Sequence, residues 1–152
     1  MAKSHFVSIC NLESISGKIH SLPRNERRMV DDASPADVER AMKETRLLFV
    51  DTWAEWCHPC KALTPILEEL EASYADNPDV KFLKVNTQEH QQFAMDNEIH
   101  AIPCVLIYFD GKPAEYEVVN PRSGETKTVN CLIGLRPAEH YEDVISYFLG
   151  GK

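Results

Sequence analysis

Two cysteines with the spacing Cys-x-x-Cys, at positions 57 and 60, lie between segments of different periodicity, and this junction constrains the fold most. The run Leu47–Asp51 before them is short, apolar and bounded, which is typical of a buried strand. The run Lys61–Tyr74 after them repeats leucine and isoleucine on one face, which predicts an amphipathic helix. A thiol at such a junction lies near unpaired helix N–H groups and the positive end of the helix dipole, which favour the reactive thiolate. The pattern therefore indicates thiol–disulfide exchange.

Composition narrows the class of protein. The 152 residues, 43% of them apolar, suffice for one hydrophobic core, and we expect one principal folded domain. The formal charge is -8, from 24 acidic and 16 basic residues, which argues against nucleic-acid binding because that requires clustered Lys and Arg. The one dense basic patch, Arg24–Arg28, contains a Glu and is interpreted as a solvated surface segment.

The distribution of cysteines and apolar residues predicts a compartment. Residues 1–19 contain no basic segment followed by a continuous apolar stretch, and no run reaches transmembrane length. The cysteines number five, an odd count that fits a reducing compartment better than a disulfide-stapled secreted scaffold. We therefore expect a cytoplasmic, monomeric protein with no membrane association.

The remaining segments alternate between helical and extended patterns. Residues 1–33 are an N-terminal extension, partly ordered or contributing an additional strand, with Phe6–Ile9 and Lys18–His20 as candidate strands. Ser34 is the predicted N-cap of a helix that has Pro35 at its first position and ends near Thr45. Further along, the patterns predict a strand at Val80–Asn86, a helix at Gln88–Asn97 capped by Thr87, a strand at Val105–Phe109, hairpin arms at Glu115–Val119 and Lys127–Ile133, and a helix at Pro137–Leu149. This order predicts an α/β fold: a central mixed β-sheet with helices on both faces.

Several motifs occur together in an order that resembles the thioredoxin family. The segment Val50–Lys61 follows that family's V-D-F-W-A-x-W-C-G-P-C-K, and Ala101-Ile102-Pro103 resembles its G-I-P, in which the proline is cis. Lys84-Val85-Asn86, the turn Asp110–Lys112 and Gly134 match further family positions. The resemblance runs from about Ser34 to Leu149 and implies a thioredoxin-like domain over residues 34–152, with its last hairpin lengthened at about 115–133.

The resemblance also implies partners. They are disulfide-containing protein substrates and a recycling reductase such as thioredoxin reductase. No bound cofactor is expected, because the two sulfurs carry the electrons.

Four residues are candidates for the chemical steps. Cys57 at the helix terminus is the predicted nucleophile, and Cys60, one turn further and less exposed, the predicted resolving thiol. Asp51 ends a buried strand, so burial would raise its pKa and suit it to take a proton from Cys60, unless it reaches water as a polar strand end. By resemblance, Lys84 on the neighbouring strand would pair with Asp51.

The residues around the thiols are candidates for redox tuning and substrate binding. His58 replaces the family's usual Gly and either stabilises the Cys57 thiolate or is an exposed loop residue of little influence; Pro59 keeps the family's turn. Trp56 is either an apolar lip around the sulfurs or a core residue, a role that better suits Trp53. By resemblance, Ile102 and cis-Pro103 would hold an extended substrate segment by strand-like hydrogen bonds.

Other interpretations of the cysteines, and alternatives to an enzyme, stay open. Cys104 stands where Thr usually follows the cis-proline and is either a third redox thiol, a ligand for a transient metal or a small buried hydrophobic residue. A zinc site normally needs a second clustered pair of ligands, and Cys104 and Cys131 are isolated in sequence, so no metal is predicted. The alternatives to an enzyme are a client-binding adaptor or chaperone, and an iron–sulfur or metal site on Cys57, Cys60 and Cys104. Cys10 and Cys131 receive no role.

Overall fold

The computed structural model describes residues 30–150 of the chain. In chain order the elements are β1 (Asp31–Asp32), α1 (Pro35–Glu44), β2 (Leu47–Trp53), α2 (His58–Ser73), β3 (Val80–Asn86), α3 (Gln91–Asp96), β4 (Cys104–Phe109), β5 (Lys112–Pro113), β6 (Tyr116–Val119), β7 (Thr126–Val129), β8 (Cys131–Ile133), α4 (Ala138–Ile145) and a π-helical turn (Ser146–Gly150). No helix among these is long and apolar enough to cross a membrane.

The sheet is mixed and has β2 at its centre. β2 runs parallel to β3, which is also parallel to β1, and antiparallel to β4. The far edge of β4 is shared by two short antiparallel strands, β5 at one end and β8 at the other. β2 is buried along nearly its whole length, because helices cover both faces of the sheet.

The core is divided by the sheet into two faces. Leu47 and Phe49 of β2 pack with the buried leucines of α2 and with Tyr141 of α4, which defines the α2/α4 face. The intervening Leu48 and Val50 pack with α1, and partly buried residues of the α3 region join the same cluster, which defines the α1/α3 face. Alternate side chains of a strand point to opposite faces, so one apolar strand fills both clusters. The predicted α/β architecture is confirmed.

Helix α1 begins as predicted. The Ser34 hydroxyl accepts a hydrogen bond from the Asp37 amide at 3.3 Å, and the Asp37 carboxylate accepts one from the Ser34 amide at 2.9 Å. This reciprocal capping box satisfies helix donors that otherwise lack partners. Pro35 occupies the first turn and Thr45 is the C-cap. The helix bounds therefore follow from local chemistry.

The start of α3 was predicted wrongly. Its N-cap is His90, not Thr87, because Thr87 donates its hydroxyl hydrogen bond to the Trp53 carbonyl at 3.1 Å. The side chain of Asn86 also accepts a hydrogen bond from the Gln88 amide at 2.9 Å, which stabilises a turn after β3. The helix can begin only after that turn.

The last hairpin also differs from its prediction. β6 pairs with β7 in a separate antiparallel ribbon, and residues 117–128 of this ribbon are exposed. The predicted arm Lys127–Ile133 is divided, because Cys131–Ile133 forms β8 and pairs with β4 in the main sheet. Leu132 thereby reaches the core of the α2/α4 face, a burial that the ribbon alone would not provide.

Residues 30–33, which the sequence analysis places in the N-terminal extension, add the short strand β1 to the sheet. Val30 is 2% exposed and belongs to the core, and the Ala33 amide donates a hydrogen bond to the Lys84 carbonyl at 2.8 Å. The candidate strands Phe6–Ile9 and Lys18–His20, and Cys10, lie outside the described residues.

Candidate active site

Cys57 and Cys60 lie where β2 passes into α2, and they are joined by a disulfide. Cys57 is the N-cap of α2 and Cys60 lies in its first turn, so a short turn after Trp53 delivers both sulfurs to the same helix end. The Cys60 amide donates a hydrogen bond to the Cys57 sulfur at 3.3 Å. A helix N-terminus stabilises negative charge, and this bond reaches the sulfur that would carry it after reduction.

The disulfide is almost covered, although its neighbours are not. Cys57 is 3% exposed and Cys60 1%, so the expected difference in exposure between them is small in the oxidised protein. The adjoining residues Trp56, His58 and Pro59 are all exposed, and Trp56 is 65% exposed. Trp56 is therefore a surface residue and not a core residue.

Trp53, expected in the core, is only half-buried. Its indole Nε1 donates a hydrogen bond to Asp32 Oδ1 at 3.1 Å, so β1 contributes its partner.

Asp51 lies on β2 and is 1% exposed. Its Oδ1 has no hydrogen-bond partner among the described residues. Burial raises the pKa of Asp51 to about 7, and the positive charge of Lys84 offsets only part of that effect. The predicted direction of the pKa shift is confirmed, and Asp51 can exchange a proton near neutral pH.

Lys84 does not form the predicted ion pair with Asp51. The two residues are register partners on β3 and β2, but the Lys84 ammonium lies 3.9 Å from Asp32 Oδ2 and 5.0 Å from the centre of the Trp53 ring. β1 supplies the competing carboxylate, which is exposed and keeps its hydration. Lys84 therefore acts on Asp51 through its charge at longer range.

The loop before β4 lies at the same end of the sheet as the disulfide, because Cys104 is the register partner of Thr52. The Ile102–Pro103 peptide bond is cis. Pro103 is buried and its carbonyl accepts a hydrogen bond from the Gly134 amide at 2.8 Å. The backbone groups of half-buried Ile102 bond to no other described residue.

Cys104 belongs to the α1/α3 face and not to the face that carries Asp51 and α2. The structure thus does not bring Cys57, Cys60 and Cys104 together as one three-thiol site. Among the described residues there is also no group of three or more Cys, His, Asp or Glu side chains placed to hold a metal.

Cys131, which the sequence analysis left without a role, packs against the cluster that contains Cys104. No sequence signal could have found it, because its neighbours are set by the antiparallel pairing of β4 with β8, which the predicted hairpin did not include.

The fold and the sequence both match known proteins. A family model described as "Thioredoxin" matches residues 30–130. A thioredoxin of Staphylococcus aureus is 32% identical over 106 residues, which cover 70% of this chain and 86% of that protein. These matches confirm the family resemblance that the motifs suggested.

Solved structures agree on the fold. A thioredoxin variant from Halobacterium salinarum is 20% identical, covers 78% of this chain and 88% of its own, and superimposes with a TM-score of 0.60. Oxidised mitochondrial thioredoxin 3 of Saccharomyces cerevisiae is 24% identical, covers 76% of this chain and 92% of its own, and has a TM-score of 0.58. The family match and the disulfide at the N-terminus of α2 lead to one conclusion. The chain belongs to the thioredoxin family and is a thiol–disulfide oxidoreductase whose redox pair is Cys57 and Cys60.

Proposed function

We propose that this protein reduces disulfides in other proteins, with Cys57 as the attacking thiolate and Cys60 as the resolving thiol. The Cys57 thiolate attacks one sulfur of the substrate disulfide, forms a mixed disulfide and releases a substrate thiolate. Cys60 then attacks the Cys57 sulfur, releases the second substrate thiolate and closes the Cys57–Cys60 disulfide. The observation that supports this order is the hydrogen bond from the Cys60 amide to the Cys57 sulfur.

Asp51 is the proposed proton acceptor for the resolving step. Cys60 must lose a proton before it attacks, and a buried carboxylate with a pKa near 7 is ionised in part at neutral pH. Lys84 tunes this carboxylate by its charge.

Trp56, Ile102 and Pro103 are the proposed substrate-binding residues. Trp56 offers an exposed aromatic surface beside the disulfide, and Ile102 offers backbone groups that are free to pair with an extended segment. A substrate strand bound there would present its own disulfide to Cys57.

His58 is proposed to make the pair more oxidising than an ordinary thioredoxin. It is exposed and adjoins Cys57 in the chain, so a charged imidazole would stabilise the reduced thiolate form. We expect His58→Gly to make the reduction potential more negative by about 30 mV, a tenfold change in the equilibrium constant. A titration against glutathione in which both proteins give the same potential would remove this role from His58.

We propose the cytoplasm as the location and a reductase of the thioredoxin reductase class as the recycling partner. Together these would place the protein in electron transfer for cell redox homeostasis.

The main proposal is tested by trapping. Cys60→Ser should hold protein substrates on Cys57 as mixed disulfides that dithiothreitol releases, and these substrates should be identifiable by mass spectrometry. The matched control, Cys57→Ser with Cys60→Ser, should hold none. The proposal fails if the single and double variants retain the same proteins, or if Cys57→Ser still reduces insulin at the wild-type rate.

A further inference from the structure

Cys104 and Cys131 are close neighbours on one face of the sheet. In the antiparallel pairing of β4 with β8, Cys104 is opposite Ile133 and Cys131 is opposite Leu106, so the cysteines are diagonal neighbours. Backbone hydrogen bonds join Ile107 to Asn130 at 3.1 Å and Gly134 to Pro103 at 2.8 Å. The pairs Cys104–Ile133 and Leu106–Cys131 are therefore non-hydrogen-bonded pairs, in which directly opposite side chains approach most closely, and the two cysteines lie on the diagonal between these pairs.

The two thiols are close enough to affect each other's protonation. The interaction with Cys131 raises the pKa of the Cys104 thiol, and the interaction with Cys104 lowers the pKa of Cys131. Burial also raises the pKa of Cys104, whereas the positive charges of Lys127 and Arg136 help to lower that of Cys131. The pair thus combines one protonated, buried thiol with one thiol whose ionised form is stabilised.

Cys131 is the accessible member of the pair. It is half-buried and lines a groove of about 820 Å³ between the β6–β7 ribbon and α4. Arg136 also lines this groove, and its Nε donates a hydrogen bond to the Ile133 carbonyl at 3.0 Å, which holds the guanidinium beside β8. Cys104 is only 4% exposed, so a disulfide compound would reach Cys131 before Cys104.

We propose that Cys104 and Cys131 form a second redox-active dithiol, separate from Cys57 and Cys60, with Cys131 as the attacking thiol and Cys104 as the resolving thiol. It lies on the α1/α3 face, does not depend on the proposed function of the first pair, and accepts small disulfides of the glutathione disulfide class.

The exchange balances without another reagent. The Cys131 thiolate attacks one sulfur of glutathione disulfide, which forms a mixed disulfide and releases one glutathione thiolate. Cys104 loses its proton, attacks the Cys131 sulfur and releases the second glutathione. The two protein thiols are oxidised by two electrons, and glutathione disulfide is reduced to two glutathiones.

Formation of the product requires a backbone shift. Diagonal neighbours across an antiparallel pair lie about 7–8 Å apart, slightly beyond the usual Cα separation of a disulfide. β8 has three residues and pairs with β4 alone, so we expect the edge strand β8 to make this shift. The new disulfide would tie β8 to β4 immediately beside Pro103.

The test uses the full chain with Cys10, Cys57 and Cys60 replaced by Ser, so that only the proposed pair remains. After incubation with glutathione disulfide, we expect loss of both free thiols, no retained glutathione, and a peptide that links Cys104 to Cys131. Adding Cys104→Ala should leave one stable glutathione on Cys131. Adding Cys131→Ala should leave Cys104 as a free thiol.

Two results would overturn the proposal. One is a stable glutathione adduct on Cys131 while Cys104 is present. The other is two free thiols under conditions that fully oxidise Cys57 and Cys60 in the wild-type protein. Peptide mapping of the oxidised wild-type protein tests the proposal without any variant. We expect a peptide that links Cys104 to Cys131, and its absence would refute the proposal.

Discussion

Asp51 illustrates at the scale of single residues how a functional group lowers stability. Its pKa rises from 3.8 in a model peptide to about 7 in the folded protein. Between these values the folded protein holds a proton that the unfolded chain releases, so the free energy of unfolding falls as pH rises through this range and levels off above it. A shift of this size corresponds to about 4 kcal/mol at most.

Asp51→Asn should recover most of that free energy. In urea unfolding of the oxidised protein, we expect the variant to exceed wild type by about 2–4 kcal/mol at about pH 8 and by roughly 1 kcal/mol at about pH 4.5. Asp76→Asn is the matched control, because Asp76 is exposed and should give no pH-dependent difference. A stability gain from Asp51→Asn that is equal at both pH values would contradict the assignment.

Trp56 contributes little to the stability of the fold, because its side chain stays exposed in the folded protein. Trp56→Ala should change the free energy of unfolding by no more than about 0.5 kcal/mol. It should also lower kcat/KM for insulin reduction on the order of tenfold, because about 1.4 kcal/mol of substrate contact is lost. Met95→Ala, which removes a side chain of similar exposure (70%) on α3, should leave kcat/KM unchanged. Equal effects of the two substitutions would argue against substrate contact by Trp56.

Individual residues differ in how far the sequence could predict their structural setting and their partners. Cys57 and Cys60 belong to one contiguous pattern of strand, turn and helix, so their setting could be predicted. Asp51 ends the same strand, but the strand pattern left open whether its carboxylate reaches water. Lys84 could be placed on the neighbouring strand, but its carboxylate partner, Asp32, comes from a strand that lies outside the pattern. Cys131 has no local signal. Its neighbour Cys104 lies 27 positions earlier in the sequence and comes close only through the pairing of β4 with β8.

At the scale of elements, the β6–β7 ribbon is an appendage with its own hydrogen bonds. Residues 117–128 are exposed, and the tip is closed by hydrogen bonds between Asn120 and its neighbours Gly124 and Glu125, each 2.8 Å long. By contrast, Tyr116 at the base of the ribbon is buried in the core of the α2/α4 face. The tip and the base of the same ribbon should therefore differ in their effect on stability.

Replacing residues 118–127 by Asn-Gly should shorten the ribbon with little cost. The Asn-Gly pair favours a tight hairpin turn, so we expect the free energy of unfolding to change by less than about 1 kcal/mol, with insulin reduction unchanged. Tyr116→Ala should cost on the order of 3 kcal/mol, because it leaves a cavity in the core. Thermal and urea unfolding measure both. A shortened ribbon that costs as much as Tyr116→Ala would show that the tip contributes to the fold.

Elements could be predicted where their causes are local. The bounds of α1 follow from the capping box of Ser34 and Asp37. The start of α3 and the division of the last hairpin could not be predicted, because each depends on a hydrogen bond or a strand pairing from elsewhere in the fold.

At the scale of the whole molecule, residues 30–33 are part of the folded domain. Val30 lies in the core of the α2/α4 face and Ala33 in that of the α1/α3 face, so this short segment contacts both clusters. Asp32 adds a hydrogen bond with Trp53 and an ion pair with Lys84. These contacts join β1 to β3 and to the end of β2.

Two truncations test the contribution of residues 30–33. The fragment 30–152 should unfold cooperatively and reduce insulin like the full chain. The fragment 34–152 should be less stable by about 2 kcal/mol or more, because it loses the burial of Val30 and the pairing of β1. Urea unfolding followed by circular dichroism compares them directly. Equal stability of the two fragments would mean that β1 contributes nothing to the domain.

The sequence by itself determined the alternation of strands and helices, the cap of α1 and the place of the Cys57–Cys60 pair at a helix N-terminus. Each of these depends on residues within a turn or a strand, where hydrogen bonds and periodicity act locally. Only the tertiary structure decided that β8 pairs with β4, that Lys84 pairs with Asp32 and that Cys104 and Cys131 are diagonal neighbours. Those outcomes depend on competition between distant segments for the same sheet edge or the same charge, and local patterns do not encode which segment prevails.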